Sequence, residues 1–246
     1  MKNITIRFYE ELNDFLPKEK KKARFGYEFF GRESVKDLIE AIGVPHTEVD
    51  MILINGKSVD FSYLVNDKDD ISVYPVFESF DIKDVQHLRP KPLRNPKFIL
   101  DVHLGKLARY MRMLGFDTLY ENDLDDESIV NLSLIEKRTI LTRDVGLLKR
   151  KTITHGYYIR NTKTDQQIEE VVNRFQLEKL IKEFSRCIDC NGILTFVSKE
   201  KVIDKIPPKV KIHYTEFFIC TECSKIYWHG SHIEGMSKVV NKFKRT

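Results

Sequence analysis

The chain has 246 residues and a mass of 29.0 kDa; apolar residues make up 41% of it, aromatic residues 11%, and the formal net charge is +4. Because compact domains usually have about 100 to 150 residues, this length predicts more than one domain. The apolar content excludes a disordered or fibrous protein. No run of the roughly 18 apolar residues needed for a membrane helix occurs in the sequence, nor does a secretory h-region near its N-terminus, so we expect a cytoplasmic protein without membrane contact.

The charge is distributed unevenly along the chain. Residues 1–80 contain 11 Lys and Arg against 15 Asp and Glu, whereas residues 81–246 contain 30 against 22. A basic C-terminal part favours a polyanionic partner such as a nucleic acid, because bound cations on the phosphates are released when lysine and arginine replace them. Solvated lysines without any partner are the commoner reason for a modest excess, so the charge is a weak indication by itself.

The first 80 residues have the pattern of a β-grasp fold. Four strands are predicted, at residues 3–9, 23–30, 51–54 and 71–77. Ser34 with Asp37 three positions later is a capping-box pattern, which predicts the start of a helix that ends near Gly43. Asn55-Gly56 is a type I′ turn signal between strands. The order ββαββ predicts a small roll of this kind.

A parallel α/β domain is predicted after a linker. Residues 81–96 contain three prolines and few apolar residues, which is typical of an extended linker. The predicted elements that follow are strand 98–100, helix 103–114, strand 118–120, helix 126–137, strand 139–142, a short helical turn, strand 157–160 and helix 165–175. Such alternation favours a parallel sheet covered by helices. We therefore predict domains at 1–80, 97–184 and 185–246, with the linker at 81–96.

Acidic residues follow the predicted strands of this α/β domain. Asp101 comes directly after the first strand, and Asp144 comes two residues after the third. Asp123, Asp125, Asp126 and Glu127 follow the second strand, and Asp165 opens the last helix. Each could simply cap a helix, since aspartate accepts hydrogen bonds from the first free amides. Several carboxylates at one sheet edge would repel each other unless a divalent cation such as Mg²⁺ or Mn²⁺ neutralised them, and such an ion can activate water for phosphodiester hydrolysis.

The four cysteines form two Cys-x-x-Cys pairs. Cys187 with Cys190 and Cys220 with Cys223 are separated by 29 residues, and no cysteine is left over. Each pair can present two thiolates to one tetrahedral ion, so the spacing predicts a structural Zn²⁺ site in a zinc ribbon. His229 and His232 lie just beyond the module, but four cysteines already complete the ligand set. Short strands are expected between the pairs, interrupted by Pro207-Pro208.

The segments FILDVHLGKLARYMRMLGFDT, ILTRDVGLL, SRCIDCNG and YWHGSH together resemble the Mut-seven C-terminal RNase family over residues 97–236. That family is grouped with PIN-like nucleases, which cut RNA with a cluster of acids that binds Mg²⁺ or Mn²⁺. The resemblance implies that Asp101 is the acid of the first strand and that Asp144, with Thr142 beside it, is the acid of the Thr-x-Asp element. The middle acid stays open between Asp126 and Glu127, with Asp125 beside them and Asp165 as a weaker fourth candidate.

Basic residues near the proposed acids are candidates for holding the RNA backbone. Those in the predicted set are Lys106, Arg109, Arg112 and Arg143. Arg109 and Arg143 lie closest in sequence to the acids, and a guanidinium group matches the geometry of a phosphate. Each of these side chains could equally belong to a solvated face.

The N-terminal segments VKDLIEAIGVPHTEVDMILING and DDISVYPVF resemble the ubiquitin-like domain found before this RNase family and are similar to sulfur-carrier proteins. Sulfur carriers act through a free C-terminal Gly-Gly, whereas this region continues through Glu78-Ser79-Phe80 into another domain. We therefore expect binding or positioning instead of sulfur transfer, and its acidic balance is compatible with docking on the basic half of the chain or on a protein partner.

Two functions from different classes fit the sequence. The favoured one is a metal-dependent endoribonuclease, with RNA preferred over DNA only because of the resemblance. The alternative is a non-catalytic adaptor that binds RNA or the ribosome, in which the acids only cap helices. A sulfur-transfer partner is a third interpretation, weakened by the missing terminus. Whether the carboxylates of Asp101, Asp144 and either Asp126 or Glu127 converge decides between the first two.

Overall fold

The computed structural model describes residues 1–75, 96–183 and 185–230. The chain divides into two compact units. The described part of the first unit is 1–75 with 144–158, and that of the second is 96–143, 159–183 and 185–230. The predicted linker at 81–96, apart from its last residue, and the residues after 230 lie outside the described part. The domain boundaries at 1–80, 97–184 and 185–246 stay predictions, and residues 144–158 belong to the first unit.

Residues 1–75 form a five-stranded sheet with one α-helix. The elements are β1 (Lys2–Phe8), β2 (Arg24–Phe29), α1 (Val35–Ile42), β3 (Met51–Ile54), β4 (Lys57–Val59) and β5 (Asp70–Tyr74), with 3-10 turns at Glu10–Phe15, Lys18–Lys20 and His46–Glu48. The strand order is β2-β1-β5-β3-β4. Strands β1 and β5 run parallel and the other pairs antiparallel. The predicted β-grasp fold is confirmed, with β4 as an additional strand.

Local sequence signals fix the ends of these elements. The Ser34 side chain accepts a hydrogen bond from the Asp37 amide at the start of α1, as the capping-box pattern predicts. Gly43 ends the helix at a φ of 127°, which glycine adopts without strain. Asn55 and Gly56 both have positive φ values, 52° and 79°, so the chain reverses at the predicted turn, although the strand that follows is β4 and not the predicted strand 71–77.

Residues 96–143 of the second unit contribute three parallel strands to a sheet. Residues 96–143 contain β6 (Lys97–Leu100), a 3-10 turn at Val102–Leu104, α2 (Gly105–Met113), β7 (Asp117–Leu119), α3 (Asp126–Glu136) and β8 (Thr139–Thr142). Strand β6 lies between β7 and β8 and is parallel to both. Phe98, Ile99 and Leu100 of β6 have no exposed surface. The predicted α/β class with a parallel sheet is therefore confirmed.

The segment 144–158 and the following helix complete the α/β region of the sequence. The segment, which belongs to the first unit, contains the four-residue helix α4 (Val145–Leu148) and the short strand β9 (Gly156–Tyr158). Helix α5 (Thr164–Arg174) belongs to the second unit and is followed by a 3-10 turn at Glu178–Leu180. Ile168, Val171 and Val172 form its buried face.

The cysteine-containing region is a small three-stranded antiparallel sheet with helices inserted between the cysteine pairs. Its elements are β10 (Leu194–Val197), α6 (Lys199–Val202), a 3-10 turn at Ile203–Lys205, α7 (Pro208–His213), β11 (Phe217–Cys220) and β12 (Ile226–Tyr227), and the strand order is β10-β11-β12. Pro207-Pro208 was expected only to interrupt the chain, but Pro208 begins α7, because the first helical residue needs no amide donor. Across the described residues, no helix is long and apolar enough to cross a membrane.

Candidate functional site

Asp101 lies at the C-terminal end of the central strand β6 and is only 6% exposed. Its Oδ2 atom accepts a hydrogen bond of 2.7 Å from the Thr142 hydroxyl at the end of β8. The Asp101 amide donates to the carbonyl of Leu141 at 3.1 Å. A buried carboxylate is costly unless it is paired, so this placement holds a hard oxygen donor at the edge where the parallel strands end.

Asp144 and Asp125 both cap short or medium helices. The Asp144 Oδ1 atom accepts a hydrogen bond from the Gly146 amide at 2.7 Å at the start of α4. The Asp125 Oδ1 atom accepts one of 2.7 Å from the Ser128 amide at the start of α3. Asp126 and Glu127 follow in the first turn of α3. Capping, which the sequence left open for every acid, thus applies to Asp125 and Asp144, and it does not exclude a second role for the other carboxylate oxygen.

Asp165, the weaker fourth candidate, lies in the first turn of α5, where Lys163 occupies the N-cap position. Among the described residues, the four cysteines are the only group of three or more His, Cys, Asp or Glu side chains whose donor atoms are close enough to share one ion. The meeting of Asp101, Asp144 and either Asp126 or Glu127 around a single cation therefore stays a prediction.

Tyr120 is a residue of this edge that the sequence analysis missed. Its hydroxyl oxygen lies 3.0 Å from the carbonyl oxygen of Val102 and 2.8 Å from Asn122 Oδ1, within hydrogen-bond reach of both, so it fixes the turn directly after Asp101. A Cβ atom on Gly105 would lie 2.5 Å from the Tyr120 hydroxyl oxygen, so this position requires glycine for close approach. In the sequence, Tyr120 is only a tyrosine after a strand and Gly105 only a glycine at the start of a helix. No spacing rule predicts that the two residues are in contact.

The four predicted RNA-binding residues differ in their surroundings. Lys106 and Arg109 are exposed on α2, and an Arg109 Nη2 atom lies 3.2 Å from Asp189 Oδ1. Arg143 is half-buried, and its Nη1 atom donates to the carbonyls of residues 159, 160 and 161. Arg112 is only 3% exposed. Its environment is that of a structural residue, so we do not carry Arg112 into the proposed RNA-binding set.

The Arg112 guanidinium joins α2 to the first cysteine turn. It donates hydrogen bonds to four backbone carbonyls, those of Thr118, Tyr120, Ile188 and Asp189. The last two carbonyls belong to the two residues between Cys187 and Cys190. Burial lowers the pKa of Arg112 from its ordinary value, although the nearby sulfurs and Asp189 oppose this shift. The side chain therefore has the contacts of an internal support for the turn.

Asp117 is a second polar link between the sheet and the cysteine region. Its carboxylate accepts hydrogen bonds from Arg138 Nη1 and Asn191 Nδ2, at 2.7 and 2.8 Å, and lies 3.2 Å from Arg186 Nη2. Burial opposes ionisation, but the hydrogen bonds from Arg138 and Asn191 and the two guanidinium charges lower the pKa of Asp117 overall. Asn191 also accepts a hydrogen bond from the Thr118 amide, so the residue after the first cysteine pair is fixed on the end strand of the sheet.

The four cysteine sulfurs lie within 4.8 Å of one another. The Cys187 and Cys223 Sγ atoms are 3.7 Å apart, and those of Cys190 and Cys220 are 3.4 Å apart. Zn–S bonds of about 2.3 Å in a tetrahedron place the sulfurs about 3.8 Å apart. The two short turns and the strands β10 and β11 therefore bring four soft donors to the spacing of one tetrahedral ion, which fits a zinc ribbon.

The ionisation of the cysteines also favours a bound cation. Burial opposes ionisation of Cys187, but hydrogen bonds from the Tyr227 hydroxyl and from the amides of Cys190 and Asp189 lower the pKa of the Cys187 thiol to about 7. Desolvation and the neighbouring sulfurs raise the pKa of Cys190 to about 12. Four thiolates at this spacing repel each other, so a divalent ion is needed to hold all of them in the deprotonated form.

Two protein-family models match the chain. The model described as Mut7-C RNAse domain matches residues 96–240, which is more than half of the chain. The chain belongs to the Mut7-C RNAse domain family. The model described as Mut7-C ubiquitin matches residues 1–81. The resemblance drawn from the sequence motifs is thereby confirmed for both parts, and the family is one of nucleases. No curated protein and no solved structure matches the chain.

Proposed function

We propose that this Mut7-C RNAse domain protein is a metal-dependent endoribonuclease. The observation that carries the proposal is the buried carboxylate of Asp101 at the C-terminal edge of the parallel sheet, bonded to Thr142 at the end of the neighbouring strand. Ligands of open α/β sheets bind at this edge. Burying an acid there lowers the stability of the fold through desolvation and adds no apolar packing. Such a residue is expected at a functional site.

Asp101 and Asp144 are the residues we assign to the cation, together with Asp126 or Glu127. Their carboxylate oxygens are the donor type that Mg²⁺ and Mn²⁺ prefer, and such an ion supplies charge neutralisation at the phosphate and activation of water. Asp101 is fixed by Thr142 and by the strand backbone, so its Oδ1 atom keeps a constant direction. Asp126 is half-buried in the first turn of α3, and Glu127 is more exposed.

The exposed residues Lys106 and Arg109 are the proposed contacts to the RNA backbone. Both lie on α2, whose 3-10 extension begins directly after Asp101. Their charge would neutralise phosphates without reading the bases, which suits a nuclease that selects RNA by other features. Arg143 holds the carbonyls of residues 159 to 161, so its guanidinium is partly engaged within the protein. We rank it below the two residues of α2.

We propose that the cysteine site binds one structural Zn²⁺. Two hydrogen-bonded supports, Arg112 and Asn191, fix the first cysteine turn through contacts within the protein. A closed shell of four cysteines leaves no open position for substrate, so the ion would hold the ribbon together and take no part in RNA cleavage.

The experiment for the endoribonuclease proposal is cleavage of a labelled RNA by the full-length protein with and without Mn²⁺. Asp101→Asn and Asp144→Asn each keep the side-chain shape and remove a ligand charge, so we expect each to lower the cleavage rate at least about a hundredfold, because even residues outside the ligand shell cost 10- to 100-fold. Asp204→Asn, an exposed aspartate in the cysteine-containing region, is the matched control and should leave the rate within a fewfold. Full activity of Asp101→Asn, or cleavage that persists in a chelator, would contradict the metal site.

An adaptor that binds RNA without cutting it is the second candidate. The observation in its favour is that Asp125 and Asp144 use a carboxylate oxygen to cap helices. An adaptor would bind RNA with the same dependence on salt as a nuclease but would leave it intact at every Mn²⁺ concentration. Binding without cleavage by pure protein, together with normal binding by Asp101→Asn, would select this function.

A further inference from the structure

The ubiquitin-like part of the first unit contains an unusual run of buried polar residues. His46, Thr47, Glu48 and Asp50 have 5%, 1%, 0% and 2% of their surface exposed. Glutamate and aspartate are almost never fully buried unless they are paired, because their desolvation must be offset by hydrogen bonds. Two buried carboxylates, with a buried histidine and threonine beside them, within five positions therefore indicate that this stretch faces a specific partner.

The partner is the segment 144–158 of the same unit. One Glu48 carboxylate oxygen accepts a hydrogen bond of 2.6 Å from the Tyr158 amide. The His46 Nε2 atom donates to the carbonyl of Ile153 at 2.7 Å, while its Nδ1 atom lies 2.5 Å from Glu40 Oε1. These bonds hold the backbone of the segment at two places five residues apart, so they fix its path independently of most of its side chains.

Further contacts lie on either side of these two bonds. The Lys36 Nζ atom donates to the carbonyl of Lys151 at 3.2 Å, and Lys151 lies 3.8 Å from the carboxylate of Asp37. The rings of Phe15 and Tyr158 meet edge to face with centroids 5.4 Å apart. The β-grasp region thus touches the segment at residues 151, 153 and 158, along half of its length.

The segment contains only short elements of regular structure. Its helix α4 has four residues and its strand β9 has three, and a helix of one turn is unstable alone because nucleation is unfavourable. Leu147, Leu148 and Ile153 are nonetheless buried. The segment opens with Asp144, whose side chain caps α4, so the direction of that carboxylate depends on where α4 is held.

We propose that the ubiquitin-like domain is a built-in support for the segment 144–158, with Glu48 and His46 as positioning residues that hold Asp144 in its working place. The role of Asp144 in cleavage rests on the proposed endoribonuclease function; the ordering of the segment does not. This gives the N-terminal domain a function inside its own chain, in which it recognises backbone groups of the segment that follows β8.

The first test measures hydrogen exchange of the full-length protein, with and without Glu48→Ala. That variant leaves the Tyr158 amide without its acceptor, and hydrogen bonds to a charged group are strong enough that we expect exchange within 145–158 to rise about tenfold or more. Glu48→Gln keeps an oxygen at the same place and should restore slow exchange. Glu28→Ala, an exposed glutamate on β2, is the matched control and should leave the segment unchanged.

Exchange in β1, β3 and β5 shows whether the domain itself stays folded. A rise confined to residues 145–158 supports the proposal, and an equal rise throughout the domain or no rise in the segment overturns it. Should Glu48→Ala fail to fold, Lys36→Ala removes a different contact to the same segment, the bond to the Lys151 carbonyl, and it should raise exchange around residue 151 by a fewfold. Unchanged exchange around residue 151 in Lys36→Ala would then reject the support.

The second test separates positioning from plain stability. If Asp144 is displaced, Glu48→Ala should raise the Mn²⁺ concentration at half-maximal RNA cleavage about tenfold, and saturating Mn²⁺ should recover most of the rate, whereas Glu48→Gln should stay near the wild-type value. A loss of rate that Mn²⁺ does not recover, with an unchanged half-maximal concentration, would contradict a positioning role. If the wild-type protein cuts no RNA at all, the proposed function fails, and hydrogen exchange still decides whether the ubiquitin-like domain orders the segment.

Discussion

The cysteine site and the acidic edge of the sheet, formed by Asp101, Asp125 and Asp144, differ in how closely their donor atoms match the geometry of an ion site. The four sulfurs already lie at the spacing of a tetrahedral ion, and Arg112 and Asn191 support their first turn from outside. At the acidic edge, Asp101 is bonded to Thr142, and Asp144 and Asp125 each cap a helix. Two tight turns bring the four sulfurs together, whereas the acids lie on separate strands and helices and are each held by their own contacts.

Among the predicted changes, loss of one cysteine should have the largest effect, because it removes a zinc ligand. Cys223→Ser removes a ligand that the other three cannot replace, and structural zinc contributes roughly 10 kcal/mol or more to small zinc-dependent folds. We expect purified Cys223→Ser protein to contain much less than one zinc per chain and to lose slow hydrogen exchange across 185–230. Thr221→Ser in the same turn is the control. Wild-type protein without zinc, purified in the absence of chelators, would disprove the assignment of this ion.

Arg112→Met should give the next largest effect. The substitution keeps most of the side-chain volume but leaves four carbonyls, one buried and three partly buried, without their donor, and each unsatisfied buried group costs about 1–3 kcal/mol. We expect the free energy of unfolding, measured with denaturant, to fall by about 3 kcal/mol or more. Arg109→Met, three residues earlier on the exposed side of α2, should change it by less than about 0.5 kcal/mol. Equal effects of the two variants would mean that Arg112 is not a support.

This pair of arginines shows what the sequence could and could not predict. The spacing of residues on α2 predicts a helix with an apolar stripe, and the helix is present. A charged residue in such a helix is usually exposed, so Arg112 was assigned to RNA together with Arg109. Its burial follows from carbonyls of residues 188 and 189, about 76 positions away, which no local pattern reveals.

Local signals were reliable wherever the structure they fix is local. Ser34 with Asp37 begins α1, Asn55-Gly56 reverses the chain, and the cysteine spacing gives the four-sulfur cluster. The two helices between the cysteine pairs were missed, because Pro207-Pro208 predicts a break as readily as a helix start. The grouping of residues 144–158 with the ubiquitin-like part was also unforeseen, since it depends on contacts between residues more than 100 positions apart.

A third prediction concerns the close approach of Tyr120 to α2 at the acidic edge. The Cβ atom of Gly105→Ala would lie 2.5 Å from the Tyr120 hydroxyl oxygen, so the tyrosine must move and release the Val102 carbonyl. We expect the free energy of unfolding to fall by about 1–2 kcal/mol. Overpacking of this size costs about 1–3 kcal/mol, and the better helix propensity of alanine offsets part of that cost. Thermal unfolding measures the change.

A double-mutant cycle distinguishes the clash with Tyr120 from a general intolerance of any substitution at Gly105. In a Tyr120→Leu background the obstructing ring is absent, so Gly105→Ala should become neutral or slightly stabilising. Gly26→Ala, where a Cβ atom would meet only ordinary contacts at 3.6 Å or more, is the control for the substitution itself. If the cost of Gly105→Ala is the same in both backgrounds, Tyr120 is not what requires the glycine.

The smallest expected effect is a change in the salt dependence of RNA binding, and it should differ between Lys106 and Arg109. On single strands each neutralised phosphate contributes roughly −0.7 to the slope of log affinity against log salt concentration. Lys106→Ala should therefore make the slope less steep by about 0.7 and weaken binding at low salt.

Arg109 already lies near the Asp189 carboxylate, an exposed pair at 3.2 Å, and must give up this partner to bind a phosphate. Exposed ion pairs are worth little, so the exchange is possible, but we expect Arg109→Ala to change the affinity less than Lys106→Ala does. Asp189→Asn should then strengthen RNA binding slightly in the wild-type background and less in Arg109→Ala, where only Lys225, the other partner of this carboxylate, is released. Lys18→Ala on the ubiquitin-like part is the control for loss of one exposed positive charge. Equal slopes for Lys18→Ala and Lys106→Ala would show that α2 is no special RNA surface, and the basic excess of the C-terminal part would then be an ordinary solvated face.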